Sequence, residues 1–290
     1  MCELFALSAS SPVLVRYDLD RFAAEGGERH QNRDGWGIVF SEGLDAHYFR
    51  EAAPAANSPL DRFVRAHAEP HSITVAHVRR ASAGTKSLAN THPFRRAVHG
   101  RLHHFAHNGT LHGIEQTPEA QPLIRDRVGE TDSELAFLLL LDRLARLAPE
   151  AADHAARFKV FRDFCADMAR LGSANFLWLD GDVLFVHADR RRHETAHGLS
   201  EPMAPGLHIM RPKPGTMGGI HECSGAVLQN PPDHIVVFAS VALSDGPWEP
   251  LPQGSVLAVH EGKVLFHEQT ITDRGGASSR PKESAPPVQQ

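Results

Sequence analysis

MCELFALS, residues 1–8, is the stretch from which the rest of the chain is best read. Cys2 to Leu7 has the apolar content of a strand that begins at the chain start. Removal of Met1 would leave a thiol and a free α-amine on the same residue. The ordinary pKa of such an amine is about 7.7–8.0, against about 8.5 for the thiol. At neutral pH part of the amine is therefore unprotonated and can take the thiol proton. A nucleophile with its own base is the N-terminal variant of the triad arrangement. Taken alone, a cysteine at position 2 is better explained by chance.

Working outward, the chain has 290 residues, 41% hydrophobic and 22% charged, with a net charge of -5. Those values exclude a wholly disordered, collagen-like or coiled-coil chain. The acidic balance does not call for nucleic acid or an anionic membrane as partner. Three cysteines, Cys2, Cys165 and Cys223, are too few and too odd in number for a disulfide framework. The first ten residues lack the basic segment of a signal peptide. The longest apolar run, Leu135 to Leu141, is far too short to cross a bilayer. A cytoplasmic protein is expected. Residues 272–290 contain one Val and no aromatic residue and read as a disordered tail. A single domain over 2–271 precedes it.

Strands are predicted at Gly35 to Ser41, Ala46 to Phe49 and Ser72 to Arg79. The last would place Ile73, Val75, His77 and Arg79 on one face. More short strands follow in ANFLWLD, DVLFVHA, GLHIM, HIVVFAS, SVLAVH and KVLFHE. Helices are expected to open at Ser11-Pro12 and Ser58-Pro59, where Ser can cap and Pro suits the first turn. Thr131 and Glu134 have capping-box spacing before a long apolar run, and a further helix spans Ala155 to Leu171. Many strands with a few long helices point to a layered α+β class.

Five further segments carry candidate chemistry. In HVRRAS, Arg79 shares the strand face of His77 while Arg80 points away; a guanidinium at a strand end can clamp a carboxylate, though a solvated pair or a structural salt bridge is the commoner reading. In HNGTL, Asn108-Gly109 is first a hairpin-turn signal. It also supplies an amide and a backbone N–H suited to an oxyanion. In GETDSE, Asp132 stands at a helix start, where it can cap the helix or receive an ammonium. The glycines of DGWG, Gly35 and Gly37, would let the backbone pass close to the nucleophile. His103, His104 and His107 invite a metal, but His104 falls on the other strand face and no known ligand spacing is completed. No metal is expected. Cys165 lies in an apolar helix and reads as core; Cys223 has no assignment.

MCELFALS, RDGWGI, HVRRAS, NTHPF, HNG and GETDSE occur in that order. Together they resemble the class II glutamine amidotransferases, whose glutaminase domain is an N-terminal-nucleophile hydrolase, and within them the stand-alone YafJ-like group. The resemblance extends to residues 239–255 and ends near residue 268. It implies a four-layer α/β/β/α sandwich and no cofactor. It implies that Cys2 is the nucleophile and that Asn108 and Gly109 form the oxyanion hole. Arg79 would bind the substrate carboxylate, Asp132 the α-amine, and Ser82 would stand where the family commonly has Thr. Trp36 would support the packing. The implied reaction is attack on glutamine through a γ-glutamyl thioester, releasing glutamate and ammonia. Either a separate synthase subunit receives the ammonia, with Ala81 to Ala89 as the lid of a coupled site, or the protein simply hydrolyses an amide. Two other readings are hydrolysis of a γ-glutamyl amide on a modified small molecule, as in the ergothioneine pathway, and an inactive binding subunit.

Overall fold

Apolar residues on both faces of most strands require two sheets stacked on each other and covered on their outer faces. A computed structural model describes residues 2–13, 19–28, 32–43, 45–148, 152–195, 198–211, 221–223, 226–228, 232–244 and 246–270. In chain order the elements begin with β1 (Glu3–Val13), α1 (Leu19–Glu25), β2 (Gly35–Glu42), β3 (Asp45–Glu51), α2 (Pro59–Ala66), β4 (His71–Arg79), β5 (Phe94–Val98) and β6 (Arg101–Leu111). Then come α3 (Asp132–Ala145), α4 (His154–Leu171), β7 (Gly172–Asp180), β8 (Val183–Ala188), β9 (Glu194–Thr195), β10 (Gly198–Leu199) and β11 (His208–Met210). The last are β12 (His221–Cys223), β13 (Ala226–Leu228), β14 (Ile235–Ala239), β15 (Glu249–Pro250), β16 (Ser255–His260) and β17 (Lys263–Gln269). The tail expected over 272–290 lies outside the described residues, as does the Cys223 side chain.

The main sheets have seven strands in the order β15-β11-β14-β1-β4-β2-β3 and six in the order β17-β16-β8-β7-β6-β5, while β9-β10 and β12-β13 form separate two-stranded ribbons. Neighbouring strands are antiparallel. The period of two sorts each strand between layers. Leu4 and Ala6 of β1, Ile73 and Val75 of β4, and Leu177 and Leu179 of β7 pack between the sheets. Phe5 and Leu7 pack outward with Phe22 and Val64 of α1 and α2. Phe105, Phe176 and Trp178 pack against α3 and α4, where Cys165 is also buried. The result is the four-layer α/β/β/α sandwich. Each of these large side chains contributes about 1.5–3 kcal/mol when fully buried.

Local signals explain the helix starts. Ser58 caps α2, accepting from the Asp61 N–H at 3.0 Å with Pro59 in the first turn. Thr131 caps α3, accepting from the Glu134 N–H at 3.2 Å. The Glu134 carboxylate does not complete the box; it accepts from the Val128 and Gly129 N–H groups at 3.0 and 2.6 Å.

Two sequence expectations are overturned. No helix opens at Ser11-Pro12, because β1 runs on to Val13. The register of β1 against β4 shifts between Ser8 and Val13, and Pro12 falls in that irregular stretch, where no ladder donor is needed. Asn108-Gly109 is not a turn. It lies inside the eleven-residue strand β6, paired with Asn175 and Ala174 of β7.

The start of β1 is anchored deep in the molecule. Glu3 and Arg191 are both buried and form a two-pronged pair at 2.9 and 2.6 Å. Arg191 also donates to the Ser240 carbonyl at 2.7 Å, and the Ser240 hydroxyl accepts from the Leu4 N–H at 2.8 Å. Removing one partner of a buried pair leaves an uncompensated charge, which costs about 3–5 kcal/mol. Arg191→Met is therefore expected to lower unfolding stability by about that amount in urea titration. A loss below about 1 kcal/mol would show that the pair does not anchor β1.

Candidate active site

Cys2 immediately precedes β1, between the two sheets at the end where β4 finishes. Its thiol donates to the Arg80 carbonyl and accepts from the Arg80 N–H, both at 3.2 Å. Its own carbonyl accepts from Asn108 Nδ2 at 2.6 Å, across from the other sheet. Burial pushes the Cys2 thiol up; the Arg80 N–H bond and the positive charge of Arg79 oppose that rise. Cys2, Ser82, Asn108 and Gly109 all line one cavity of about 470 Å³.

Asn108 is 1% exposed, and Asn175 Nδ2 donates to its carbonyl at 2.9 Å. Gly109 has a steric reason to be glycine. A Cβ there would stand 1.9 Å from the Ser173 carbonyl oxygen of β7. The N–H groups of His107, Gly109 and Leu111 share one edge of β6. That of His107 donates to His92 Nδ1 at 3.3 Å, and that of Leu111 to Asp132 Oδ2 at 2.6 Å. The Gly109 N–H lies between them on the edge facing away from β7.

Arg79 and Asp132 do not line the cavity. Arg79 is 3% exposed, and its guanidinium donates to the Ala83 and Thr85 carbonyls at 2.9 and 3.2 Å. Among the described residues it meets no carboxylate. Asp132 opens α3 and accepts from the Leu111 and Ser133 N–H groups, at 2.6 and 2.9 Å. Ser82 is exposed, its hydroxyl 3.5 Å from that of Thr110. Within 81–89, the segment read as a lid, Ala81 donates to Asp34 and Thr85 donates twice to Glu130.

The DGWG glycines serve a different neighbour from the one expected. A Cβ on Gly37 would meet the His92 carbonyl at 2.4 Å, and one on Gly35 would meet the Thr91 hydroxyl at 2.8 Å. They make room for NTHPF, not for the nucleophile. Trp36 is buried and donates to Glu51 at 3.1 Å.

The histidines beside the site are buried, and His77 packs on His92 with ring centroids 4.4 Å apart. Burial pushes His77 down to about 3, helped by the charge of Arg79, and His187 down to about 4. It lowers His92 and His107 as well. His107 bonds Ser133 at 2.8 Å on the helix side. His103 stacks on Trp178, and His104 stands against Tyr48 on the other face. A different trio, Glu42, His47 and His71, brings its ligand atoms within 4.8 Å of one another where the start of β4 meets the β2–β3 hairpin.

Sequence reading missed Arg190 and Arg192, which line the cavity, and Arg191 and Ser240, which hold β1. The run of three arginines after DVLFVHAD was the available signal. Extended alternation sends its two outer members to the cavity and the middle one to Glu3.

Two stacked antiparallel sheets between helical layers, with β1 central, define the N-terminal-nucleophile hydrolase fold. The family model for class-II glutamine amidotransferases matches residues 1–283, and the chain belongs to that family. It is 35% identical over 196 residues to the putative glutamine amidotransferase YafJ of Escherichia coli (strain K12), across 67% of this chain and 75% of that protein. The crystal structure of a predicted glutamine amidotransferase from Pseudomonas aeruginosa PA01 matches with a TM-score of 0.64 at 26% identity, covering 91% of this chain and 100% of that one. Glutamine phosphoribosylpyrophosphate amidotransferase from B. subtilis, complexed with ADP and GMP, shares the fold with a TM-score of 0.61 at 15% identity, covering 94% of this chain and 50% of that one. Among the described residues no helix is long and apolar enough to cross a membrane.

The buried histidines make stability depend on pH in a stated direction. In the unfolded chain a histidine titrates near about 6.5. Folded His77 titrates at about 3, so between those values only the unfolded chain binds the proton. Its contribution is fully present above the unfolded pKa and is lost as pH falls toward the folded one. Near pH 5 that is about 1.4 kcal/mol per pH unit for one histidine. His77→Gln should flatten the pH dependence of unfolding stability by about that slope. An unchanged slope would show that His77 keeps an ordinary pKa.

Proposed function

We propose that this chain hydrolyses a γ-glutamyl amide, of which glutamine is the simplest, with Cys2 as nucleophile after removal of Met1. The carrying observation is the convergence of Cys2, Asn108 and Gly109 on one cavity. The 2.6 Å bond from Asn108 Nδ2 to the Cys2 carbonyl supports it, because it ties the amide to the residue that reacts.

The freed α-amine takes the thiol proton, and the thiolate attacks the side-chain carbonyl of the substrate. An amide NH₂ has two donors. One Asn108 N–H holds the Cys2 carbonyl; the other, which meets only a long 3.5 Å contact to the Ser240 hydroxyl, turns with the Gly109 N–H to the developing oxyanion. One such donor is worth about 10²–10³ in rate. The C–N bond breaks, and the amine leaves with the proton carried by the Cys2 ammonium. Water then hydrolyses the thioester, returning the thiol and releasing glutamate.

In this reading Arg79 takes the substrate α-carboxylate and Asp132 its ammonium, while Ser82 adds a hydroxyl at the rim. A buried guanidinium that meets only carbonyls among the described residues supports the first role, since charge without a counter-ion is costly. Both residues lie just outside the cavity lining, so binding requires the 81–89 segment to give way. Closure of such a loop over substrate would exclude water.

Three outcomes are expected. Intact mass of active protein lacks Met1. A glutamine-like diazo ketone labels Cys2, and Cys2→Ala abolishes both labelling and turnover; turnover that survives Cys2→Ala would reject the nucleophile. Arg79→Lys, which keeps charge but loses the fork, should lower kcat/KM for glutamine at least about tenfold. Arg80→Lys should change it far less. Equal effects would remove Arg79 from the carboxylate role.

A further inference from the structure

The cavity at Cys2 is strongly cationic. Arg80, Arg190 and Arg192 line it, and no acidic side chain does among the described residues. Arg190 Nη2 donates to the Gly172 carbonyl at 3.1 Å, and its Nε stands 4.0 Å from Asp189. Its remaining nitrogen, Nη1, is buried without a hydrogen-bond partner among the described residues. Arg192 is exposed at the rim, two residues along the same extended segment. An unmatched buried donor is costly for an empty protein, and two further guanidinia at the same cavity favour the entry of an anion.

Glutamine does not supply that anion. Its one carboxylate is assigned to Arg79 and its ammonium to Asp132, and the rest of the molecule is neutral. The cavity, at about 470 Å³, is within the range for a drug-sized ligand. In a γ-glutamyl compound only the amine portion can vary. We infer that the preferred substrate is a γ-glutamyl amide whose amine portion carries an anionic group, a carboxylate or a phosphate, held by Arg190 and Arg192 with Arg80. This rests on the proposed amidase reading and narrows its substrate. The reaction balances without a further reactant. The Cys2 Sγ–carbon bond forms, the C–N bond breaks, the anionic amine leaves with one proton, and water restores the thiol and gives glutamate.

The test compares substrates that differ only in charge on the same enzyme. γ-Glutamylglycine and γ-glutamylglycinamide differ by one carboxylate; γ-glutamyl phosphoethanolamine carries a phosphate instead, and glutamine carries neither. The expected kcat/KM is at least about tenfold higher for one of the anionic compounds than for the glycinamide and for glutamine. Whichever anionic compound leads names the group. Arg192→Gln alters an exposed residue, and Arg190→Gln/Arg192→Gln removes both charges. Each should bring the anionic-to-neutral ratio toward one, the double variant further, with labelling of Cys2 by the diazo ketone retained. Because the ratio is taken within each preparation, partial misfolding does not imitate the effect. A wild-type ratio near one, or a high ratio unchanged in both variants, with Cys2 still labelled, overturns this inference and leaves the amidase reading standing. No turnover of any of the four compounds, together with no labelling of Cys2, overturns both.

Discussion

The buried pair between Glu3 and Arg191 is the contact on which the site depends. A chain end ordinarily frays, because few contacts hold it. Here the residue after the candidate nucleophile is locked to a guanidinium that also holds the Ser240 carbonyl, and Ser240 in turn holds Leu4. Cys2 thereby directly precedes the anchored start of a central strand. A nucleophile displaced by about 1 Å from its productive position loses much of its advantage. The energy of this pair is spent on position more than on net stability, since a well-packed apolar pair would often stabilise as much.

The stacking of the two sheets sets what Cys2 can meet. The period of two that sends Leu4 and Ala6 between the sheets sends Cys2 to the same side. On the facing sheet the same period sends Ala106 inward, and Asn108 with it. The amide consequently reaches the Cys2 carbonyl from the opposite sheet. The glycines follow from close approach. Gly109 and Gly172 lie where any Cβ would stand 1.9 Å from a carbonyl of the paired strand.

Much of this was legible along the chain. The β2–β3 pair, the start of α2 at Ser58, the start of α3 at Thr131 and the long helix α4 all follow from local rules of period and capping. Local rules failed at Ser11-Pro12 and at Asn108-Gly109. Asn108-Gly109 is held extended by its pairing with β7, whereas Ser11-Pro12 continues β1 through an exposed, irregular stretch carried between the paired residues up to Ala9 and Val13. Local preference is worth about 1 kcal/mol or less per residue and yields to pairing and burial. The DGWG glycines were recognised as making room, but the neighbour they accommodate is the NTHPF segment, which only packing brings beside them.

The order of motifs from MCELFALS to GETDSE was enough to identify the family and so the layered fold, because those segments are short, distinctive and in fixed sequence. The strand face of Arg79 was also settled by the sequence, since alternation needs only a count of residues. The tertiary structure alone decided that Arg79 lies beneath the 81–89 segment without a carboxylate partner among the described residues. It also decided that Arg190 and Arg192 join Cys2 at one cavity while Arg191 turns to Glu3. Period assigns a residue to a side of its own strand. Which distant charge waits on that side depends on how two sheets far apart in sequence come to face each other.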